Sequence, residues 1–181
     1  AVLLSDRAFA NADTLATSYV IVSAAKMLGD FDLIFCGKES LDGATGQMGA
    51  QLAQRFEAAQ VTGTLLIKEV NEEAKTAVVE RELEDGVETL EVKLPSLFTM
   101  EKVNYPARIP NLKGKLAAKK AVITTITADD IPGLDRGRIG DPGSPTKVPR
   151  MFPPVMPEPG IIIDEGSVEA SVAKLMQLIK D

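Results

Sequence analysis

"CGKESLDGATGQMG", residues 36–49, lies between the apolar run "FDLIFC" (31–36) and a helix-like stretch, and it holds four glycines, a Thr and an Asp. A short continuous apolar run suits a central strand covered on both faces. The stretch after it, from about Thr45 or Gly46 to Ala58, repeats Met48, Leu52 and Phe56 along one helical face. Strand, glycine-rich loop and helix in that order let backbone N–H groups approach a phosphate, with the partial positive charge of the helix N-terminus behind them. Thr45 offers a hydroxyl, while Gly43, Gly46 and Gly49 permit an approach that side chains would block. Asp42 opposes direct phosphate contact, yet suits a ribose hydroxyl or an internal loop bond. The loop is neither a Walker A sequence nor GxGxxG, and the same order also describes a plain flexible connection.

Working outward, Asp13 is placed to N-cap a helix from Thr14 to about Leu28, stopped by Gly29 and apolar around much of its girth. "AVLLS" (1–5) reads as a buried strand needing neighbours on both sides, with no earlier strand to supply one. Residues preceding it are therefore expected to be missing from the chain. Further along, "VTGTLLIKEV" (61–70), "TAVVEREL" (76–83), "VETLEVKL" (87–94) and "SLFTM" (96–100) are strand-like. Asp85-Gly86 predicts a two-residue hairpin turn between the middle pair, so this part is expected to be antiparallel. Residues 104–118 look irregular and basic, and "KKAVITTI" (119–126) returns as a strand. From 127 to 160, prolines at 132, 142, 145, 149, 153, 154, 157 and 159 forbid regular structure over most of an extended arm. A helix over about 167–180 follows, with Val168, Val172, Leu175, Met176 and Ile179 on one face. The predicted fold class is therefore α/β: a parallel-sheet core at 1–126 with added antiparallel hairpin strands, then a C-terminal extended arm plus helix at 127–181.

Composition narrows the chemistry. The 181 residues are 45% hydrophobic and 25% charged, ordinary for a globular chain with one sizeable core. A net charge of −6 argues against a general affinity for nucleic acid or acidic lipid. Cys36 is the one cysteine, so no internal disulfide forms, and a reducing cytoplasmic or matrix setting fits. Histidine is absent, which removes zinc sites and imidazole bases. "AVLLSDRAFA" carries no basic leader and no long apolar run, so neither a signal peptide nor membrane insertion is expected.

"SDRAFANADTLATS" (5–18), "DLIFCGKESLDGATGQMG" (32–49) and "VERELEDGVETLEVKLPSLFT" (79–99) resemble the beta subunit of electron transfer flavoprotein (ETF). The third stretch matches that family's signature at Val79, Arg81, Glu84, Asp85, Gly86, Glu88, Leu90, Pro95, Leu97 and Thr99, with Phe98 replacing the usual aliphatic residue. "RIPNLKGKLAAKK" (108–120) and "RIGDPGSPTKV" (138–148) resemble later segments, while the family's opening portion has no counterpart. The resemblance implies an adenine-nucleotide-hydrolase-like core, paired with an FAD-carrying ETF alpha subunit, that moves electrons from NADH or an acyl-CoA-type dehydrogenase to ferredoxin or a quinone oxidoreductase.

In the family's ordinary branch the pocket holds a structural AMP. In its electron-bifurcating branch the pocket holds FAD, with NADH as hydride donor. Asp42-Gly43-x-Thr45-x-Gln47 and Gly143-Ser144-Pro145-Thr146 look like the bifurcating form, whereas Gly46 and Lys38-Glu39 depart from it. Carried over by position, the nucleotide loop is Gly37-Lys38-Glu39-Ser40-Leu41-Asp42-Gly43-Ala44-Thr45-Gly46-Gln47-Met48. Cys36 joins it as small apolar lining rather than as a redox thiol. Asp13, Thr14 and Thr17 join it at the preceding helix start, although the N-cap alone would explain Asp13. Ile109-Pro110-Asn111-Leu112-Lys113 matches the loop that anchors a partner dehydrogenase, against the plainer reading of 108–120 as a solvated basic face. The competing classes are a non-redox, universal-stress-like nucleotide module and an inactive paralogue kept for binding its partner. No catalytic side chain is expected, since hydride chemistry belongs to the cofactor.

Overall fold

The computed structural model describes residues 1–101, 106–157 and 159–180. Residues 104 and 105 of the expected irregular stretch, and residues 158 and 181 of the expected arm and helix, lie outside them. Two compact units form, Ala1–Lys147 and Val148–Asp181.

The first unit is a mixed α/β structure. Its elements are β1 (Val2–Leu4), α1 (Thr14–Ala25), β2 (Leu33–Gly37), α2 (Met48–Phe56), β3 (Ala59–Asn71), β4 (Thr76–Leu83), β5 (Gly86–Lys93), β6 (Ser96–Met100), α3 (Leu112–Lys120) and β7 (Thr124–Ile126). The main sheet has the order β2-β6-β3-β4-β5, and β1 pairs with β7 in a separate two-stranded sheet.

"SLFTM" is the buried centre of the main sheet. β6 runs parallel to both β2 and β3, with Leu97 opposite Ile34 on one side and Gln60 on the other. Ser96, Leu97 and Phe98 are fully enclosed. Only the hairpin strands β3-β4-β5 are antiparallel, so the expected antiparallel half is corrected at β6. The reason is packing: Leu97 meets Val22, Leu52 and Ala53 beneath the helices, while Phe98 meets Val61, Ala77 and Val79 on the opposite face. A strand apolar on both faces belongs inside a sheet. Gly49 of α2 lies against this strand, where a Cβ would overlap the Thr99 methyl.

β2 is corrected from a central strand to an end strand. Among the described residues it pairs with β6 alone, and Phe35 is half exposed, stacked on Phe98 with ring centroids 5.6 Å apart. The hairpin turn is also one residue off. Leu83 pairs with Gly86, so Glu84 and Asp85 occupy the turn and Gly86 opens β5. Neither central residue takes a positive φ, as suits a turn with glycine in its last position.

α1 accounts for its girth of apolar residues by packing on two sides. Val20 and Ala24 join Ile126, Ala128, Ile131 and Ile139, while Val22 joins the Leu97 cluster. The helix ends at Ala25, with three further turn residues before Gly29, which takes φ +124°. α3 replaces part of the expected irregular stretch: Asn111 caps it by accepting the Gly114 N–H at 2.8 Å, and β7 shrinks to three residues behind it.

Residues 127–147, expected in the arm, belong to the first unit, with Ile131 and Ile139 in its core. Carboxylates fasten them. Asp6 accepts N–H bonds from Ala8 and Ala128, both at 2.9 Å. Asp13 accepts from Ala16 at 3.0 Å and Thr146 at 3.1 Å. Asp130 accepts from the Thr127 amide and hydroxyl. The second unit is irregular over 148–157 and 159–166 and carries α4 (Val168–Lys180), whose Val168, Val172, Leu175, Met176 and Ile179 are exposed.

Backbone N–H donors hold the Asp6 carboxyl below the usual range, and the Thr127 hydroxyl and amide do the same for Asp130. At Asp13 burial pushes upward, but the combined Ala16, Thr146 and Leu15 donors prevail and lower it. Carboxylates depressed in the folded state contribute stability that is complete above their unfolded value of about 4 and lost as pH falls through the folded values. Chemical denaturation between pH 6 and 2.5 should therefore show stability declining below about pH 4, with a shallower decline in Asp6→Asn. An equal slope in that variant would mean that Asp6 is not among the responsible groups.

Candidate nucleotide pocket

At the carboxyl end of β2 the chain turns into residues 38–47 and then into α2. A cavity of about 560 Å³ opens there against the start of α1. Twelve of the sixteen nucleotide-site residues named from the sequence line it: Thr14, Thr17, Cys36, Gly37, Lys38, Glu39, Ser40, Asp42, Gly43, Thr45, Gly46 and Met48.

The other four stand elsewhere in the same framework. Leu41 is fully exposed. Ala44 takes φ +45° within the loop's own turn and donates its N–H to the Ser40 carbonyl at 3.0 Å. Gln47 accepts the Thr14 hydroxyl at 2.9 Å, tying the loop's end to α1, and Gln51 donates to the same hydroxyl at 3.2 Å. Asp13 is spent on capping α1 and on Thr146. Ala12, Ile21 and Leu52 line the cavity without having been named as site residues. Leu52 had a signal, since it follows Met48 on the apolar face of α2; Ile21 is one turn beyond Thr17 on α1.

The two helix starts differ in a way that bears on chemistry. α1 is closed by the Asp13 carboxylate, whereas Gln47 at the start of α2 makes no side-chain cap bond. The first-turn N–H groups of α2 are thus without a side-chain acceptor, beside a cavity, and carry the helix's partial positive charge. Gly46 takes φ +62°, a conformation costly for other residues, and a Cβ there or at Gly37 would meet open space. This is a cradle with room for a ligand.

Asp42 is occupied by its own loop. Its carboxylate accepts the Gly43 N–H at 2.8 Å, and the Ser40 hydroxyl, followed by that amide, holds its pKa below the usual range. Lys38 pairs with Glu101 at 2.9 Å, which raises its pKa through the hydrogen bond and the charge of Glu101. Burial pushes the Cys36 thiol up, so it lines the cavity in neutral form. The residues present fit an adenine nucleotide: uncapped amides for phosphate, the Thr14, Thr17 and Thr45 side chains for polar contacts, and Ile21 and Leu52 for an apolar ring.

Of the expected partner loop, Ile109 is 84% and Leu112 is 74% exposed, while Asn111 is the cap of α3. Pro110 and Lys113 are exposed beside them, and Lys115, Lys119 and Lys120 follow on the helix. Among the described residues no group of acidic, cysteine or histidine side chains suits a metal ion, and no helix is long and apolar enough to cross a membrane.

A mixed sheet with helices, and a glycine-rich, uncapped helix start at the end of a parallel strand, define the broader class, an α/β protein with a candidate nucleotide pocket. The particular family follows from comparison: the electron transfer flavoprotein domain model matches residues 1–131, and the chain belongs to that family. The electron transfer flavoprotein subunit beta of Thermoanaerobacterium thermosaccharolyticum is 39% identical over 179 residues, 98% of this chain and 66% of the relative. Subunit CarD of the caffeyl-CoA reductase-Etf complex of Acetobacterium woodii is 37% identical over 181 residues, covering 100% and 68%. Protein FixA of Azorhizobium caulinodans is 34% identical over 185 residues, covering 99% and 66%. The chain thus spans about two thirds of the length of these relatives, and its likeness is to ETF beta subunits.

A Cβ at Gly43 would make only ordinary contacts, with the Ser40 hydroxyl and the Thr45 methyl. Gly43→Val should therefore leave the thermal transition within about 2–4 °C, the shift of roughly 1 kcal/mol in a chain of this size, while narrowing the loop's approach to a ligand. Bound nucleotide in the purified variant should fall by about tenfold, the equivalent of roughly 1.4 kcal/mol of lost binding. Unchanged content would remove the loop from the site.

Proposed function

We propose that the cavity above β2 and α2 binds an adenine nucleotide and that the protein serves as the beta subunit of an electron transfer flavoprotein heterodimer. The uncapped start of α2 beside the Gly37–Gly46 cradle carries this reading. A pocket of about 560 Å³ is within the usual range for small-molecule sites, roughly 300–1,000 Å³. The loop supplies phosphate donors; α1 supplies Thr14, Thr17 and Ile21. A bound flavin would supply the hydride and single-electron chemistry, and the protein would position it and exclude water.

The nucleotide we infer is FAD, as in the bifurcating type, with NADH as the reductant. Asp42-Gly43-x-Thr45-x-Gln47 supports this, as does the segment at Gly143-Ser144-Pro145-Thr146, whose Ser144 and Thr146 are fixed to Asp13 beside the pocket. The glutamate at 39 and the pairing of Lys38 with Glu101 favour the second reading, an ordinary single-flavin carrier with AMP in this pocket.

For partners, the exposed apolar face of α4 suits docking on an ETF alpha subunit. The exposed Ile109, followed by the lysines of α3, suits a transient contact with an acyl-CoA-type dehydrogenase, small in area and steered by charge. Ferredoxin or a quinone oxidoreductase would take the electrons onward.

The nucleotide is identified by heat release from the copurified heterodimer and chromatographic counting. Two FAD and no AMP per heterodimer are expected; one FAD with one AMP would give the single-flavin carrier, and no adenine nucleotide beyond the alpha subunit's FAD would remove the proposed site. Separately, Ile109→Ala should slow electron exchange with the dehydrogenase by about tenfold, roughly 1.4 kcal/mol for the loss of an apolar anchor, with bound nucleotide unchanged. An unaltered rate would make 108–120 a solvated face.

A further inference from the structure

A second pocket, about 300 Å³, lies beside a different face of α1 from the one that lines the nucleotide cavity. Thr14, Thr17 and Ile21 share the nucleotide face; Leu15 and Tyr19 are turned roughly 100–160° from them. Arg55, Arg138, Pro142, Ser144 and Pro145 complete the walls around Leu15.

The two guanidinium groups of these walls meet at one aromatic ring. Cζ of Arg138 is 4.2 Å from the Tyr19 ring centroid, and Cζ of Arg55 is 5.4 Å from it. Tyr19 is held in turn, its hydroxyl oxygen accepting the Asp135 N–H at 3.1 Å. Arg55 is anchored by donating to the Ser18 hydroxyl at 3.0 Å and to the Leu15 carbonyl at 3.1 Å.

What these two cations lack is an anion. Neither forms an ion pair among the described residues, and the Arg138 guanidinium makes no hydrogen bond there. Neighbouring carboxylates are engaged otherwise. Asp135 accepts the Gly137 amide, Asp129 pairs with Arg136, and Asp141 pairs with Lys147. Burial, followed by the charge of Arg138, lowers the pKa of Arg55, as expected for like charges sharing a partly enclosed site. A chain of net charge −6 has no general attraction for anions, so this is a local feature.

We propose that the pocket between Arg55 and Arg138 binds a phosphate group. Arginine forks match phosphate oxygens in bidentate fashion, and two unpaired cations suit a dianion better than a single carboxylate. Arg138 is the free ligand; Arg55 is the fixed one, with part of its fork already committed to α1. The volume admits either inorganic phosphate or the phosphate end of a small ester. This reading does not depend on which nucleotide occupies the loop pocket.

The test uses the protein copurified with its partner subunit, in phosphate-free buffer, titrated with inorganic phosphate and followed by ³¹P line broadening. Wild type should show saturable binding, weakened at least tenfold in Arg138→Gln and at least threefold in Arg138→Lys, which keeps a charge and loses the fork. Circular dichroism and the melting midpoint of both variants establish that they fold, and the lysine variant decides the matter if the glutamine variant does not. Repeating the titration with ribose 5-phosphate separates the sources: tighter binding than inorganic phosphate assigns an ester, weaker binding assigns the free ion. Absence of saturable binding in wild type, or equal affinity in folded Arg138 variants, overturns the proposal.

Discussion

The enclosure of β6 between two parallel neighbours is the constraint on which the rest of the first unit depends. Leu97 and Phe98 are fully buried on opposite faces, and removing each from water contributes about 1.5–3 kcal/mol. Because β2, β6 and β3 run the same way, their carboxyl ends lie on one side of the sheet. Gly49 lets α2 settle on β6 at van der Waals contact, which fixes where the loop after β2 must end. The candidate pocket is a consequence of that register.

A second set of bonds draws a distant segment onto the same framework. Asp6 and Asp13, near the chain start, accept amides from Ala128 and Thr146, while Ser144 accepts the Asp13 amide. Capping α1 in this way leaves α2 as the helix start without a side-chain acceptor at the pocket. The chemistry follows from this difference, since the Asp13 cap takes up first-turn N–H groups of α1 while those of α2 have no side-chain acceptor and stay open to a ligand.

Much of this was legible in local pattern. Asp13 before an apolar stretch marked the α1 cap, period-two runs marked β3, β4 and β5, and the glycines after Cys36 marked the pocket loop. What local pattern could not carry was pairing across distance. β6 looks like the next strand of a meander, yet burial of both its faces inserts it between β2 and β3. Phe35 belongs to a run apolar enough for a central strand, but among the described residues its strand has a neighbour on one side only. Ile131 and Ile139 are isolated among glycines and prolines, so their place in the core is set by Val20 and Ile126 rather than by any periodicity of their own. In α3, Pro110 and Gly114 on either side of Leu112 masked an asparagine cap that the Gly114 amide completes. The Arg55–Tyr19–Arg138 arrangement joins three separate segments and has no sequence signature.

The most direct measurement is a crystal structure of the protein purified with its endogenous nucleotide. Adenine-nucleotide density is expected with its phosphate against the amides of Thr45 to Gly49 and its remaining contacts at Thr14, Thr17 and Ile21. A nucleotide bound elsewhere, with the start of α2 open to solvent or closed by a side chain, would contradict it.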